Sequence, residues 1–378
     1  MDRRTFLKAA GMTAAVAGCG AFAMTGKSQA ANGPGLKNWV WVGGLHRTRP
    51  ADEWKAEFAL MKDSGISAIV AEIYDGRQAF YDSHRLPVRE DVLKTILPLA
   101  KAAGLEVHAW MWSMPCMVPE IMQKHPDWYN VNAKGESAVD KPAYVDYYKF
   151  LDPGRPEVRE WVQGTVKELA GIAELTGVHL DYIRHPDAIL PTTLWKKYNI
   201  VQDKVYPPYD YGYTEYERGE FKKKFGLDPI KLPNPNDNQD WVKFRLDMVV
   251  DLVNQYLVPA AHEKNKVITA AVFPGPSLAR TMVRQDWGRF NLDAFLPMLY
   301  NNYYNAGPEW IEKYTREGAT TTGKPIYSGL YIGEVEAPGL TALVQGALKG
   351  GASGVSLFSS GGMNVSKWKA FKQVAVRS

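Results

Sequence analysis

Short apolar runs alternate along most of this chain with longer stretches whose apolar positions recur every three or four residues. The runs at 39–43, 68–73, 106–112, 178–183, 267–273, 294–300, 326–331 and 354–358 read as strands. Helical patterning falls between them, for example over 50–64, 90–103, 156–176 and 241–265. Gly65, Gly104, Gly177 and Gly351 precede four of the runs and end the helices before them. Eight βα units without internal repeats predict an α/β fold, a single (β/α)8 barrel of the TIM type.

Two connections, 113–155 and 186–240, are too long for plain turns, and both follow strands at the carboxyl end, where substrate loops belong. The second holds the aromatic and acidic stretch 206–216 and the turn-rich Leu232-Pro233-Asn234-Pro235-Asn236. A small separate domain is the rival reading. An embellished single barrel over residues 36–378 is preferred, because neither insertion has enough periodic apolar residues for a core of its own.

Composition adds little except at the N-terminus. The 12 Trp and 20 Tyr suit stacking against sugar rings, and equally the filling of a large core. A dispersed net charge of +4 argues against a nucleic-acid partner. Arg3-Arg4-Thr5-Phe6-Leu7-Lys8 is a twin-arginine export motif, followed by an Ala/Gly-rich stretch to Met24 that is too short and weak for a permanent span. Val16-Ala17-Gly18-Cys19 reads as a lipobox, with Cys19 lipidated and the protein held at the periplasmic or outer-membrane surface. Ser28-Gln29-Ala30 is the competing cleavage site and would release a soluble protein. Residues 1–35 are set apart as this signal segment and linker. With Cys19 used, Cys116 stands alone and no intramolecular disulfide is possible. No Cys-x-x-Cys, dinucleotide fingerprint or phosphate loop is present, so no cofactor is expected.

The most informative segment is Gly177-Val178-His179-Leu180-Asp181-Tyr182-Ile183-Arg184-His185-Pro186, an apolar run ending in a lone acid. A carboxylate at the end of a buried strand is costly unless it is paired or does chemistry. Alternation sends His179 and Asp181 to one face, and elsewhere gathers Glu72, His108, Trp110, Trp112 and Tyr300 at strand positions of the same kind. Asn301, Tyr331, Glu334 and Glu336 lie at or beyond strand ends. This inventory suits glycoside hydrolysis, in which one carboxyl group protonates the leaving oxygen and another attacks the sugar or activates water. Asp181, Glu72 and Glu334 are the candidate catalytic acids. His108, Trp110, Trp112, His179, Arg184, Tyr300, Asn301 and Tyr331 are the candidate substrate contacts. The plain structural alternatives are an Asp181–Arg184 ion pair, a Glu72 salt bridge inside the barrel, and solvated loop acids at Glu334 and Glu336. A metal held by His108, His179 and Asp181 is a weaker alternative, since the first strand shows no His-x-His.

Taken in order, several segments resemble one family. They are Trp39-Val40-Trp41-Val42, Gln78-Ala79-Phe80-Tyr81-Asp82-Ser83, Leu151-Asp152-Pro153-Gly154-Arg155-Pro156-Glu157-Val158-Arg159, Gly177 to Pro186, and Pro297-Met298-Leu299-Tyr300. Together they resemble the bacterial glycosyl-hydrolase-like proteins described as family-ten-like, exported barrel proteins of the cell envelope. The resemblance implies a carbohydrate-active hydrolase acting on a polysaccharide or envelope glycan. Many members carry two consecutive acids at the end of strand four; here the second position is Tyr182. The leading expectation is an exported glycoside hydrolase. The alternatives are a carbohydrate-binding lipoprotein on a barrel without catalysis and a metal-dependent esterase or deacetylase.

Overall fold

The computed structural model describes residues 35–375 apart from His46 and Thr48. The twin arginines Arg3 and Arg4, the proposed lipidation site Cys19, the junction at Ala30 and the loop residue His46 therefore lie outside the described residues.

Eight parallel strands form a nearly closed barrel. They are β1 (Asn38–Val42), β2 (Ile66–Tyr74), β3 (Glu106–Trp112), β4 (Gly177–Asp181), β5 (Val267–Val272), β6 (Ala294–Pro297), β7 (Tyr327–Tyr331) and β8 (Gly354–Phe358). Hydrogen bonding runs β6-β5-β4-β3-β2-β1-β8-β7, and the parallel bridges Phe295–Ile326 and Met298–Gly329 join the two ends. The helices packed outside are α1 (Ala51–Asp63), α2 (Leu93–Ala102), α3 (Pro119–Lys124), α4 (Pro156–Ala170), α5 (Thr192–Tyr198), α6 (Glu215–Phe225), α7 (Gln239–Asp251), α8 (Pro276–Val283), α9 (Pro308–Thr322), α10 (Ala337–Lys349) and α11 (Val365–Ala375). Helix α7 continues through a π-helical stretch (Leu252–Leu257) into Val258–His262. Because helices cover the outside and side chains fill the inside, every residue of β1, β4, β7 and β8 is buried.

Strands β4 and β6 stop two and three residues before their apolar runs end. Strand β4 ends at Asp181 because Tyr182 adopts φ +55°, outside any extended conformation. Strand β6 ends at Pro297, and the chain then bends so that Met298 to Tyr300 enter the mouth of the barrel. The helix expected over 156–176 closes at Ala170.

Inside, aromatic and polar side chains stack in layers. Nearest the amino ends, Trp39 packs on His108 (ring centroids 4.3 Å apart) and Tyr327 (4.9 Å). Above it, Trp41 meets His179 edge-on at 4.6 Å and Trp110 at 4.8 Å. The insertions also contribute to two small apolar clusters beside the main core. Tyr213, Phe221 and Trp241 form one, and Ala138, Ala143 and Tyr211 another. Each has too few residues to fold independently, so both insertions depend on the barrel.

Candidate active site

The carboxyl ends of β2, β3 and β4 bring two acids under two tryptophans. Register pairs Glu72 with Trp110 across β2 and β3, and Trp112 with Asp181 across β3 and β4. Trp110 Nε1 donates to Asp181 Oδ2 at 3.1 Å, and Trp112 Nε1 donates to Glu72 Oε1 at 3.2 Å. Alternation on β3 thus presents successive inward indoles, one to each acid. The Tyr182 amide donates to Asp181 Oδ1 at 2.8 Å, a bond that its left-handed backbone permits. Asp181 is only 1% exposed. On its other side Glu72 receives the Gly44 amide at 3.4 Å. A Cβ at Gly43 would sit 3.1 Å from Glu72 Oε2 and 3.6 Å from Trp110, so glycine is what lets β1 pass so close.

These acids lie in two adjoining pockets. Asp181 lines one of them together with Tyr147, Tyr148, Tyr182, Arg184, Asp187, Tyr300 and Tyr304. Glu72, Trp110 and Trp112 line the second, more open one, together with Arg47, Asp75 and Arg77. Tyr147 and Phe358 border both, so the pockets form a continuous cleft across the barrel mouth. Tyr300 stands 5.5 Å from Phe358, and Trp112 stands 4.9 Å from Tyr182.

The other residues singled out in the sequence divide sharply. Arg184 and Tyr300 line the first pocket, but Arg184 makes its ion pair with Asp187 at 3.0 Å, so the expected pairing with Asp181 is replaced by one three residues further on. His108 is fully buried near the opposite end of the barrel, where Nε2 meets Glu106 Oε2 at 3.2 Å. It is level with Gly177, four residues below Asp181, or about 13 Å along the strand. His179 is likewise fully buried, with Nδ1 at 2.8 Å from Thr269 Oγ1. Neither histidine lines the cleft, which corrects their expected contact with substrate. Burial lowers the pKa of both rings and keeps them neutral; His108 depresses His179 further, while Glu106 partly opposes the shift at His108. The same separation dissolves the metal set of His108, His179 and Asp181. Among the described residues no group of three or more His, Cys, Asp or Glu is placed to hold a metal ion.

Tyr331 packs 5.9 Å from Tyr300, behind the cleft wall. Burial, and then the charge of Glu334, push its phenol up to about 12. Asn301 spends its Nδ2 on the Ala306 carbonyl at 2.6 Å, shaping the turn after β6. Glu334 is exposed and lines neither pocket. Cys116 is buried and free.

Sequence reasoning missed Asp187 and the tyrosines of the 144–148 segment. The spacing of Arg184 and Asp187, three residues apart in a chain turned by Pro186, was the available signal for the first. The tyrosines sit in an irregular loop whose destination no local pattern encodes.

Residues 40–190, less than half of the chain, match the family model described as glycosyl hydrolase-like 10. Compared with curated protein sequences, the chain finds no match. Among solved structures it is similar to the PgaB (BpsB) glycoside hydrolase domain from Bordetella bronchiseptica, with TM-score 0.70 and 16% identity, over 90% of this chain and 99% of that one. It is also similar to the catalytic domain of a beta-amylase from Paenibacillus polymyxa, with TM-score 0.63 and 14% identity, over 90% and 98%. A GH42 beta-galactosidase from G. stearothermophilus aligns with TM-score 0.61 and 12% identity, over 90% of this chain and 56% of that one. At these identities the likeness is one of fold.

Proposed function

We propose that this glycoside-hydrolase-like barrel cleaves a glycosidic bond in a polysaccharide or envelope glycan, with Asp181 and Glu72 as its working carboxylates. The observation that carries this reading is the paired arrangement at the strand ends, in which each acid accepts an indole N–H from β3 on the floor of one cleft. Hydrolysis by this chemistry needs one carboxyl group to protonate the departing oxygen and a second to attack the anomeric carbon or deprotonate a water. Both must be held in a narrow range of orientations. Trp110 and the Tyr182 amide hold both oxygens of Asp181, while Trp112 and the Gly44 amide hold those of Glu72. Aromatic walls on both sides, shared at Tyr147 and Phe358, suit a glycan chain lying across the acids.

The test is the Asp181→Asn variant on the glycan that the wild type hydrolyses in a polysaccharide screen. We expect kcat/KM to fall by about a thousandfold or more, equivalent to about 4 kcal/mol of transition-state stabilisation, with the fold retained. Near-normal turnover in a folded Asp181→Asn protein would refute the catalytic role. The proposal extends to location. It places the protein outside the cytoplasm by the Arg3-Arg4 signal and on a membrane through Cys19.

A further inference from the structure

The pocket beside Asp181 contains a second buried carboxylate that the hydrolytic chemistry leaves unused. Asp187 is 3% exposed and forms part of the pocket wall. Its Oδ2 accepts both side-chain donors, Tyr148 OH at 2.7 Å and Arg184 Nη1 at 3.0 Å. Its carbonyl oxygen accepts from Tyr144 OH at 2.8 Å, and Gln202 Nε2 donates to that same hydroxyl at 2.7 Å. Burial, and then the charge of Asp187, raise the Tyr148 phenol, so it remains a donor. Among the described residues none donates a hydrogen bond to Oδ1.

Arg184 is bound just as tightly. It is 4% exposed, donates from Nη1 to the His185 carbonyl at 2.9 Å, and lies 5.0 Å from the Phe273 ring centroid and 5.2 Å from that of Tyr182. Its charge is therefore answered inside the wall by Asp187. Replacing a buried ion pair with well-packed apolar groups is often neutral or stabilising, so fold stability alone does not explain a pair in this position. An acceptor oxygen on a fixed carboxylate, set in an aromatic pocket, has the form of a recognition group. The remaining charge among the described lining residues is that of Asp181. Within this pocket a sugar bearing a carboxylate, sulfate or phosphate would face two acids with no spare cation, Arg47 and Arg77 lining the adjoining pocket instead.

We infer that Asp187 is a specificity-determining residue. Its Oδ1 accepts a hydrogen bond from a hydroxyl or acylamino N–H of an uncharged sugar seated among the tyrosines, and the pocket excludes anionic sugars. The inference rests on reading the cleft as a glycan site, but not on hydrolysis.

Binding is measured by titration calorimetry on the Asp181→Asn protein, so that turnover plays no part. The probes are cellotetraose, mannotetraose, tetra-N-acetylchitotetraose and tetragalacturonate. At least one neutral tetramer is expected to bind; tetragalacturonate is titrated against the wild-type protein, where Asp181 is present, and is not expected to bind. Adding Asp187→Asn should weaken the neutral ligand by about 10- to 100-fold, the span of a hydrogen bond to a charged group, with the melting temperature recorded on the same samples. A second measurement leaves Asp187 intact. Of a series of analogues of the bound tetramer, each lacking one hydroxyl or acylamino group, at least one should bind about tenfold or more weakly. Undiminished affinity in Asp187→Asn, an analogue series with no such loss, equal binding of tetragalacturonate, or no binding of any of the four would each overturn the inference. Asp187-dependent binding by a protein that hydrolyses none of the screened glycans would overturn the catalytic reading alone.

Discussion

Asp181 owes its setting to the residue after it. Tyr182 takes a left-handed backbone, which costs a non-glycine residue of order 1–3 kcal/mol. In return its amide meets Asp181 Oδ1, its ring packs on Trp112, and the chain turns from barrel into cleft wall. The other oxygen of Asp181 depends on Trp110. Replacing Trp110 by Phe keeps an aromatic ring against Trp41 but removes the donor. Turnover should fall by about tenfold, since a hydrogen bond to a charged group is worth about 1.5–3 kcal/mol and the tyrosyl amide remains. Steady-state kinetics read this directly; a variant with wild-type kcat would show that the indole N–H only seals the core.

Among the elements, the two insertions are tied together by buried acids. Asp152, in the connection after β3, accepts from Thr214 Oγ1 at 2.7 Å and from the Gly154 amide at 2.7 Å. Thr214 caps α6 in a capping box with Glu217, and Asp152 and Glu217 are both fully buried. Burial raises both carboxyls, and the neighbouring Asp152 charge raises Glu217 further. The donors on Asp152 favour its ionised form, so Glu217 keeps the proton. A carboxyl whose folded pKa exceeds its unfolded value, about 4.3 for Glu, stabilises the fold below that unfolded value. The contribution is lost as pH rises toward the folded pKa. Glu217→Gln keeps an uncharged side chain at every pH. Relative to wild type it should therefore melt progressively higher as pH is raised from 5 to 9. Parallel melting curves for the two proteins across that range would remove the buried pair as the source of alkaline sensitivity.

At the scale of the whole molecule, the barrel places both acids at one end, and the proposed anchor precedes its first strand. Among the described residues no helix is long and apolar enough to cross a membrane. The proposed membrane attachment is assigned to Cys19, which lies outside the described residues. Replacing Cys19 by Ser should move the protein from the membrane fraction to the soluble periplasm; unchanged partition after fractionation would remove the anchor. A lipid anchor of this kind would hold the cleft near an envelope glycan without altering its chemistry.

The eight βα units were legible in the sequence because parallel strands buried on both faces must be apolar, and because glycines mark several of the turns before them. The strand-end position of Asp181 and Glu72 was legible for the same reason. Two-residue alternation names the face of a strand but not the depth along it. Hence His108 and His179, in phase with Trp110 and Asp181, were grouped with them although they lie in lower layers of the barrel. Depth depends on how neighbouring strands are staggered, and that is settled between chain segments far apart in sequence. The partner of Arg184, the exclusion of Glu334 and the arrival of the 144–148 tyrosines at the pocket were likewise decided in three dimensions. Loop paths answer to packing against distant elements, and no local pattern of apolar residues records where they end.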